Sequence, residues 1–255
     1  SLNMTARDFF MTTNFAYSRK ADAWLYVLPK RVVSPELSMF CTHLLGELET
    51  RRNQMEDPYT FRGIREYTYG DTYGKINWKA TAKASKLMVN MYGYTSEQRV
   101  RILLNLETNI MVKTEYLQEM SIRMAGTIAD YFLQHKVSVE LVSNGVDCVT
   151  GACERVEAGM SIEHGMTIDK YLARIRENVG IDAFMQLVDN EIQQIEEQVT
   201  YVIISPYYKE DLLIKLDYMH KNHPELHMAV PYYDIQEKTG WRGYMQGVEV
   251  KWNEI

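Results

Sequence analysis

The chain has 255 residues, of which 46% are hydrophobic and 24% charged, and a formal net charge of −6. This is ordinary composition for a globular chain long enough to bury one sizeable core, and it excludes intrinsic disorder, collagen-like repeats and a disulfide-stapled scaffold. The acidic balance sets aside a protein whose whole surface tracks a nucleic-acid backbone.

The front of the chain reads as β-rich. Trp24 to Leu28 is a short apolar run ending at Pro29, a strand and turn. Ser34, Pro35 and Glu36 form a helix start: a capping hydroxyl, a proline in the first turn and an acid beside it. Leu37, Phe40, Cys41, Leu44, Leu45 and Leu48 then recur at helical spacing, a core-facing stripe. Arg51 to Pro58 is polar and reads as a loop. Arg65 to Tyr69 and Leu87 to Tyr92 have strand character, with turns at Gly70-Asp71 and Gly74 between them. Lys75 to Ser85 is a short helix or an irregular segment.

From Val100 the pattern changes. Val100 to Leu106 is a nearly continuous apolar run, the mark of a strand buried on both faces. A helix follows with Leu117, Ala125, Ile128 and Phe132 on one side, then a strand over Val137 to Val142. Val146 to Val156 reads as a hairpin or loop. Thr167 and Asp182 are the expected caps of two further helices. Val199 to Ile204 is another buried strand, Ser205-Pro206 is expected to open a helix, and strands follow at Leu226 to Val230 and Val248 to Trp252. This alternation predicts an α/β domain over residues 96–255, a parallel sheet with helices on both faces, preceded by a β-rich segment over 1–95.

The residues offer little catalytic chemistry. The loop after the first buried strand reads Asn105-Leu106-Glu107-Thr108-Asn109, with no glycine to cradle a phosphate. His220 and His223 flank a helix end and read as solvated. Glu196-Glu197 and Glu210-Asp211 read as solvated charge on polar faces. The three cysteines, Cys41, Cys148 and Cys153, are an odd count that points to reduced thiols, with a pairing of Cys148 and Cys153 left open. No stretch of eighteen apolar residues is present.

One segment stands apart electrostatically. Residues 62–86 hold six basic and two acidic side chains, a balance of +4 that leaves −10 for the remainder. Tyr67, Tyr69, Tyr73 and Trp78 interleave the charges. Such a segment suits RNA, a headgroup surface or an acidic protein. The favoured reading is an internal clasp, in which Arg65, Glu66 and Asp71 pair and the aromatics pack the front piece onto the α/β domain.

In this segment Ile64-Arg65-Glu66-Tyr67, Gly70-Asp71 and Lys75-Ile76-Asn77-Trp78-Lys79 through Lys83 resemble the signature of domain-of-unknown-function family 58, bacterial and archaeal proteins related to von Willebrand factor A domains. The close match covers about residues 62–144. The resemblance implies a von Willebrand A-like α/β domain behind a β-rich segment, normally preceded by two transmembrane helices. The chain opens at Ser1 without them and is expected to be the soluble part of a membrane-anchored protein, facing the cytoplasm. The resemblance further implies a role in assembly or maturation beside a MoxR-type AAA+ ATPase, without catalysis and without nucleic acid. It places a metal-ion-dependent adhesion site at Asn105, Glu107 and Asn109, where the family of A domains has D-x-S-x-S. One carboxylate in the wrong place predicts a degenerate site that holds no ion, magnesium included. Gly74 replaces a frequent arginine of the signature.

The expected function is therefore a protein-interaction scaffold, its partner-facing edge built from the 105–109 loop and the loops around Asn144 and Ser205. Arg65, Glu66 and Asp71 are expected to fix the front piece to the α/β domain. The alternative is an α/β enzyme or small-ligand domain using the strand-end edge and segment 62–86, which a deep pocket with convergent Lys79, Lys83 or Asp71 would support.

Overall fold

The computed structural model describes residues 2–7, 14–19, 25–54, 56–94, 98–107, 114–176, 183–232 and 241–249. Among them a six-stranded sheet carries the main core. Its strands are β5 (Arg99–Leu104), β6 (Ser138–Ser143), β8 (Arg155–Gly159), β10 (Val199–Ile204), β11 (Leu226–Tyr232) and β12 (Met245–Glu249), in the order β12-β11-β10-β5-β6-β8. All pairings are parallel except that of the edge strand β8 with β6. Renumbered by chain position within the sheet, the order is 3-2-1-4-5-6, read from the β8 edge, that of a doubly wound fold whose direction of winding reverses between β5 and β10.

Side chains on β5 and β10 alternate between two cores, as a strand covered on both faces requires. Ile102, Leu104, Val202 and Ile204 meet α1 (Pro35–Gln54), α3 (Thr114–Gln134) and α4 (Ile162–Leu172). Leu103, Tyr201 and Ile203 meet α5 (Ala183–Gln193) and α6 (Glu210–Asn222). The α1 stripe of Leu37, Phe40, Cys41, Leu44 and Leu48 is buried in the first core, about 1.5–3 kcal/mol for each large aliphatic or aromatic member. The helix assigned by sequence to the front segment thus contributes to the core of the sheet. Ser34 starts it as expected, its Oγ accepting from Leu37 N at 3.3 Å.

Two smaller units lie toward the N-terminus. β1 (Leu2–Arg7) and β2 (Asn14–Arg19) form an antiparallel hairpin, with β2 exposed throughout. β3 (Glu56–Glu66) pairs antiparallel with β4 (Met88–Tyr94), and between them lie a 3-10 turn (Tyr73–Lys75) and α2 (Trp78–Ala84). Val146–Asp147 (β7) and Ile175–Arg176 (β9) make a short antiparallel bridge beside the main sheet.

Several boundaries differ from the sequence reading. Residues 25–28 form no strand, Trp24 lies outside the described residues, and Leu25 and Val27 are exposed. Helix α1 runs to Gln54 and β3 begins at Glu56, so the polar 51–58 stretch is helix end and strand start rather than a loop, with Met55 outside the described residues. Helix α4 begins at Ser161, whose Oγ accepts from His164 N at 3.0 Å; Thr167 sits inside the helix, donating to Glu163 O. Helix α6 begins after Lys209, because the Ser205 hydroxyl is engaged at the strand end instead. Asp182, the expected cap of α5, lies outside the described residues. Among the described residues no helix is long and apolar enough to cross a membrane.

Candidate functional site

The reversal between β5 and β10 opens at their C-terminal ends, where doubly wound sheets place their sites. Three side chains from three strand ends meet there. Asn105, after β5, donates from Nδ2 to Ser205 Oγ, after β10, at 2.9 Å. Its Oδ1 accepts from Asn144 Nδ2, after β6, at 2.9 Å, and from Glu107 N at 2.9 Å. Asn144 Oδ1 accepts from Leu106 N at 2.9 Å, and its Nδ2 also reaches Glu107 Oε1 at 3.1 Å. The Glu107 carboxylate accepts from the Phe184 backbone at the start of α5 at 3.0 Å. Ser205 Oγ donates to Tyr207 O and accepts from Tyr207 N. Asn105 and Ser205 are wholly buried and Asn144 nearly so.

The three loops expected to share an edge are therefore hydrogen-bonded into one network. Its donor set does not fit a divalent ion. Such an ion needs several hard oxygens with lone pairs to spare. Here Asn105 Oδ1 and Glu107 Oε1 each accept two hydrogen bonds, Ser205 Oγ accepts two, and among the described residues of the network Glu107 supplies the one carboxylate. Asn109 lies outside the described residues.

Beside the network runs a groove of about 520 Å³ between α3 and β9. Leu106, Tyr116, Ile122 and Ile175 give it apolar walls, and Glu115, Glu119 and Arg176 its charges. Gln118 braces the rim by donating to Leu106 O at 2.8 Å. Lys79, Lys83 and Asp71 do not line it.

The signature residues build a different object. Arg65 grips both oxygens of Asp71, at 2.7 and 2.6 Å, and Asp71 Oδ2 accepts from Thr68 N at 2.8 Å. The Arg65 guanidinium and the Thr68 amide hold the Asp71 carboxyl well below the usual carboxylate range. Gly70 closes this turn with φ of 113°, a conformation side chains other than glycine rarely adopt. Glu66 pairs with Lys86 at 2.8 Å, both exposed. Tyr67 stacks on Tyr73, ring centroids 6.2 Å apart. Ile76 is buried and bridges to Val89. Asn77 caps α2, accepting from Ala80 N at 2.9 Å, and its amide also donates to Asn90.

Arg65 and Asp71 thus pair as expected, while the Glu66 carboxylate pairs with Lys86 instead, and the clasp ties the β3–β4 unit to its own turn. Tyr69, Tyr73 and Trp78 do not pack against the α/β domain: Tyr69 is fully exposed and Trp78 is 68% exposed. Among the residues of this unit whose burial is described, only Ile76 and Val89 are buried.

Other sequence readings are corrected. His223 is 4% exposed, donates from Nε2 to Val199 O at 2.6 Å and packs edge-on against Tyr201. Glu196 is no free charge, because it binds Arg101 at 2.6 Å and also Arg99. Burial opposes its charge, but these guanidiniums hold its carboxyl below the ordinary range. Arg101 itself, 2% exposed, is held by Glu140 at 2.7 Å and Glu191 at 2.5 Å. A lone arginine inside an apolar strand was the available signal for this network. None of the three cysteines is in a disulfide; Cys41 is buried, Cys148 and Cys153 are exposed, and the Cys153 thiol reaches Asn144 O at 3.7 Å.

No family model, no curated protein and no solved structure matches the chain.

Proposed function

We propose that this chain is a non-enzymatic protein-interaction domain of the von Willebrand factor A-like kind, the α/β part of a membrane-anchored bacterial protein of domain-of-unknown-function family 58. In this reading it works with a MoxR-type AAA+ ATPase in assembly or maturation, at the cytoplasmic face of the membrane. The observation that carries it is the network at the strand ends. Polar groups that in a ligand site would point outward are spent on one another, from Asn105 to Ser205 and from Asn144 to Glu107. An edge locked in this way presents a fixed shape, which suits a protein partner docking along it and into the adjoining groove.

The test is retention of a purified MoxR-type ATPase on the immobilised chain, with and without ATP. Retention that is lost when the 105–109 loop is replaced supports both partner and edge. Undiminished retention by the loop variant removes the edge as the contact, and no retention by the intact chain removes the partner.

A further inference from the structure

The β3–β4 unit exposes what a small unit would be expected to cover. Tyr69 sits at the tip of the turn held by the Arg65–Asp71 clasp, and Tyr73 and Trp78 stand exposed at the next turn and at the first residue of α2. Lys79 and Lys83, one helical turn apart on α2, are both exposed and have no carboxylate partner among the described residues. Leu87, whose carbonyl accepts from Tyr67 N, adds an exposed aliphatic side chain beside them.

We propose that this unit is a docking surface for an anionic lipid headgroup layer. Aromatic rings with one apolar and one polar end settle at headgroup depth, and lysines at their side meet the negative surface potential. The charge separation fits. Segment 62–86 carries +4 while the rest of the chain carries −10, so a negative surface attracts this unit and repels the remainder. A nucleic acid lying along the protein would meet that −10, and it has no use for exposed Leu87. The clasp gives the platform its preorganisation: Tyr69 is held out by a turn fixed with two charge-assisted hydrogen bonds. This inference uses residues separate from the strand-end edge and stands independently of the partner proposed there.

The experiment is co-sedimentation of the whole chain with phosphatidylcholine vesicles, with and without phosphatidylglycerol. Binding is expected only to the vesicles containing phosphatidylglycerol. The double variant Lys79→Gln/Lys83→Gln should weaken it about thirtyfold, taking roughly 1 kcal/mol per lysine near an anionic surface. Trp78→Ala should weaken it separately, and Lys221→Gln, an exposed lysine on α6, should not. All these positions are exposed, so an unchanged thermal transition checks that each variant is folded. No binding to phosphatidylglycerol vesicles, or binding untouched by the lysine pair, overturns the proposal. Retention of a single-stranded RNA oligonucleotide without vesicle binding also overturns it, and gives the platform to nucleic acid.

Discussion

The Arg31 guanidinium lies directly over Gly126 of α3. A methyl group on Gly126 would fall 2.6 Å from Arg31 Nη1. From that position Arg31 binds Asp130 on α3 at 2.5 Å and both oxygens of Asp169 on α4 at 2.7 Å. The next residue, Val32, donates its amide to Thr127 Oγ1 at 2.9 Å. The irregular segment before α1 is lashed to the helix pair at this one glycine.

Gly126→Ala therefore sets two effects against each other. Alanine gains about 1 kcal/mol of helix propensity, while the arginine must leave, which its flexible end permits. Global stability should change by no more than about 1 kcal/mol. The Val32 amide, in contrast, should lose its protection from hydrogen exchange. Retained protection at Val32 would show that the arginine re-seats without its glycine.

Arg101 presents the opposite case, a charge that cannot leave. It is buried on β5 opposite Glu140 of β6, with Glu191 of α5 against its other side. Arg101→Met should destabilise the chain by about 3–5 kcal/mol in urea unfolding, because it strands buried carboxylates. Adding Glu191→Met should recover part of that loss. A double variant no better than the single one would show that Arg155, which also reaches Glu140, already neutralises the site.

The fold was legible where burial is two-sided. Val100 to Leu106 and Val199 to Ile204 read as buried strands, and both runs are buried throughout, the first as strand only to Leu104. Helix starts were less legible. Ser161, Thr167 and Ser205 are alike in sequence, yet Ser161 caps α4 through His164 N, Thr167 bonds back along the helix, and Ser205 is taken by Asn105 from across the sheet. The β1–β2 hairpin leaves only a weak signal, Phe15 and Tyr17 two apart between Asn14 and Ser18, with the apolar Ala16 blurring the period of two. At the site, the sequence points to the loops at 105, 144 and 205 from topology alone. It does not reveal that their side chains bond to one another, since that depends on register between strands a hundred residues apart. Segment 62–86 is readable as charge and aromatics, but the exposure of Tyr69, Tyr73 and Trp78 is seen only in the structure.

His227 on β11 makes stability depend on pH. Burial and the neighbouring His43, His220 and His223 push its imidazole from 6.5 down to about 4. Glu47 of α1 stands 3.0 Å from its Nε2, Arg51 of α1 pairs with Glu225, and Phe40 packs edge-on against the ring. A histidine whose folded pKa is depressed is held neutral, so its contribution is complete above pH 6.5 and is lost as pH falls from 6.5 toward 4. The full loss is on the order of 3 kcal/mol. Urea unfolding across that range should show the decline, and His227→Gln should flatten it. An unchanged slope in the variant would assign the acid sensitivity to another group.

Asn105→Asp tests the strand-end network and the metal argument together. The side chain is wholly buried, and its amide is the donor to Ser205 Oγ. An aspartate there keeps the shape, loses that donor and places a second carboxylate near Glu107, which shares the Asn144 amide with it. The expected cost is at least about 2 kcal/mol, the penalty for a buried charge with one partner too few. The substitution also introduces the residue type that a D-x-S-x-S loop carries first. If the site fails as a cation site only for want of that aspartate, magnesium should stabilise the variant in proportion to the logarithm of its concentration. The network argues otherwise, because Glu107 Oε1 and Ser205 Oγ already accept hydrogen bonds from Asn144, Phe184 and Tyr207. Urea unfolding with and without magnesium should therefore superimpose for Asn105→Asp. A magnesium-dependent gain would mean that these hydrogen bonds yield to an ion and that the edge is one residue away from a metal centre.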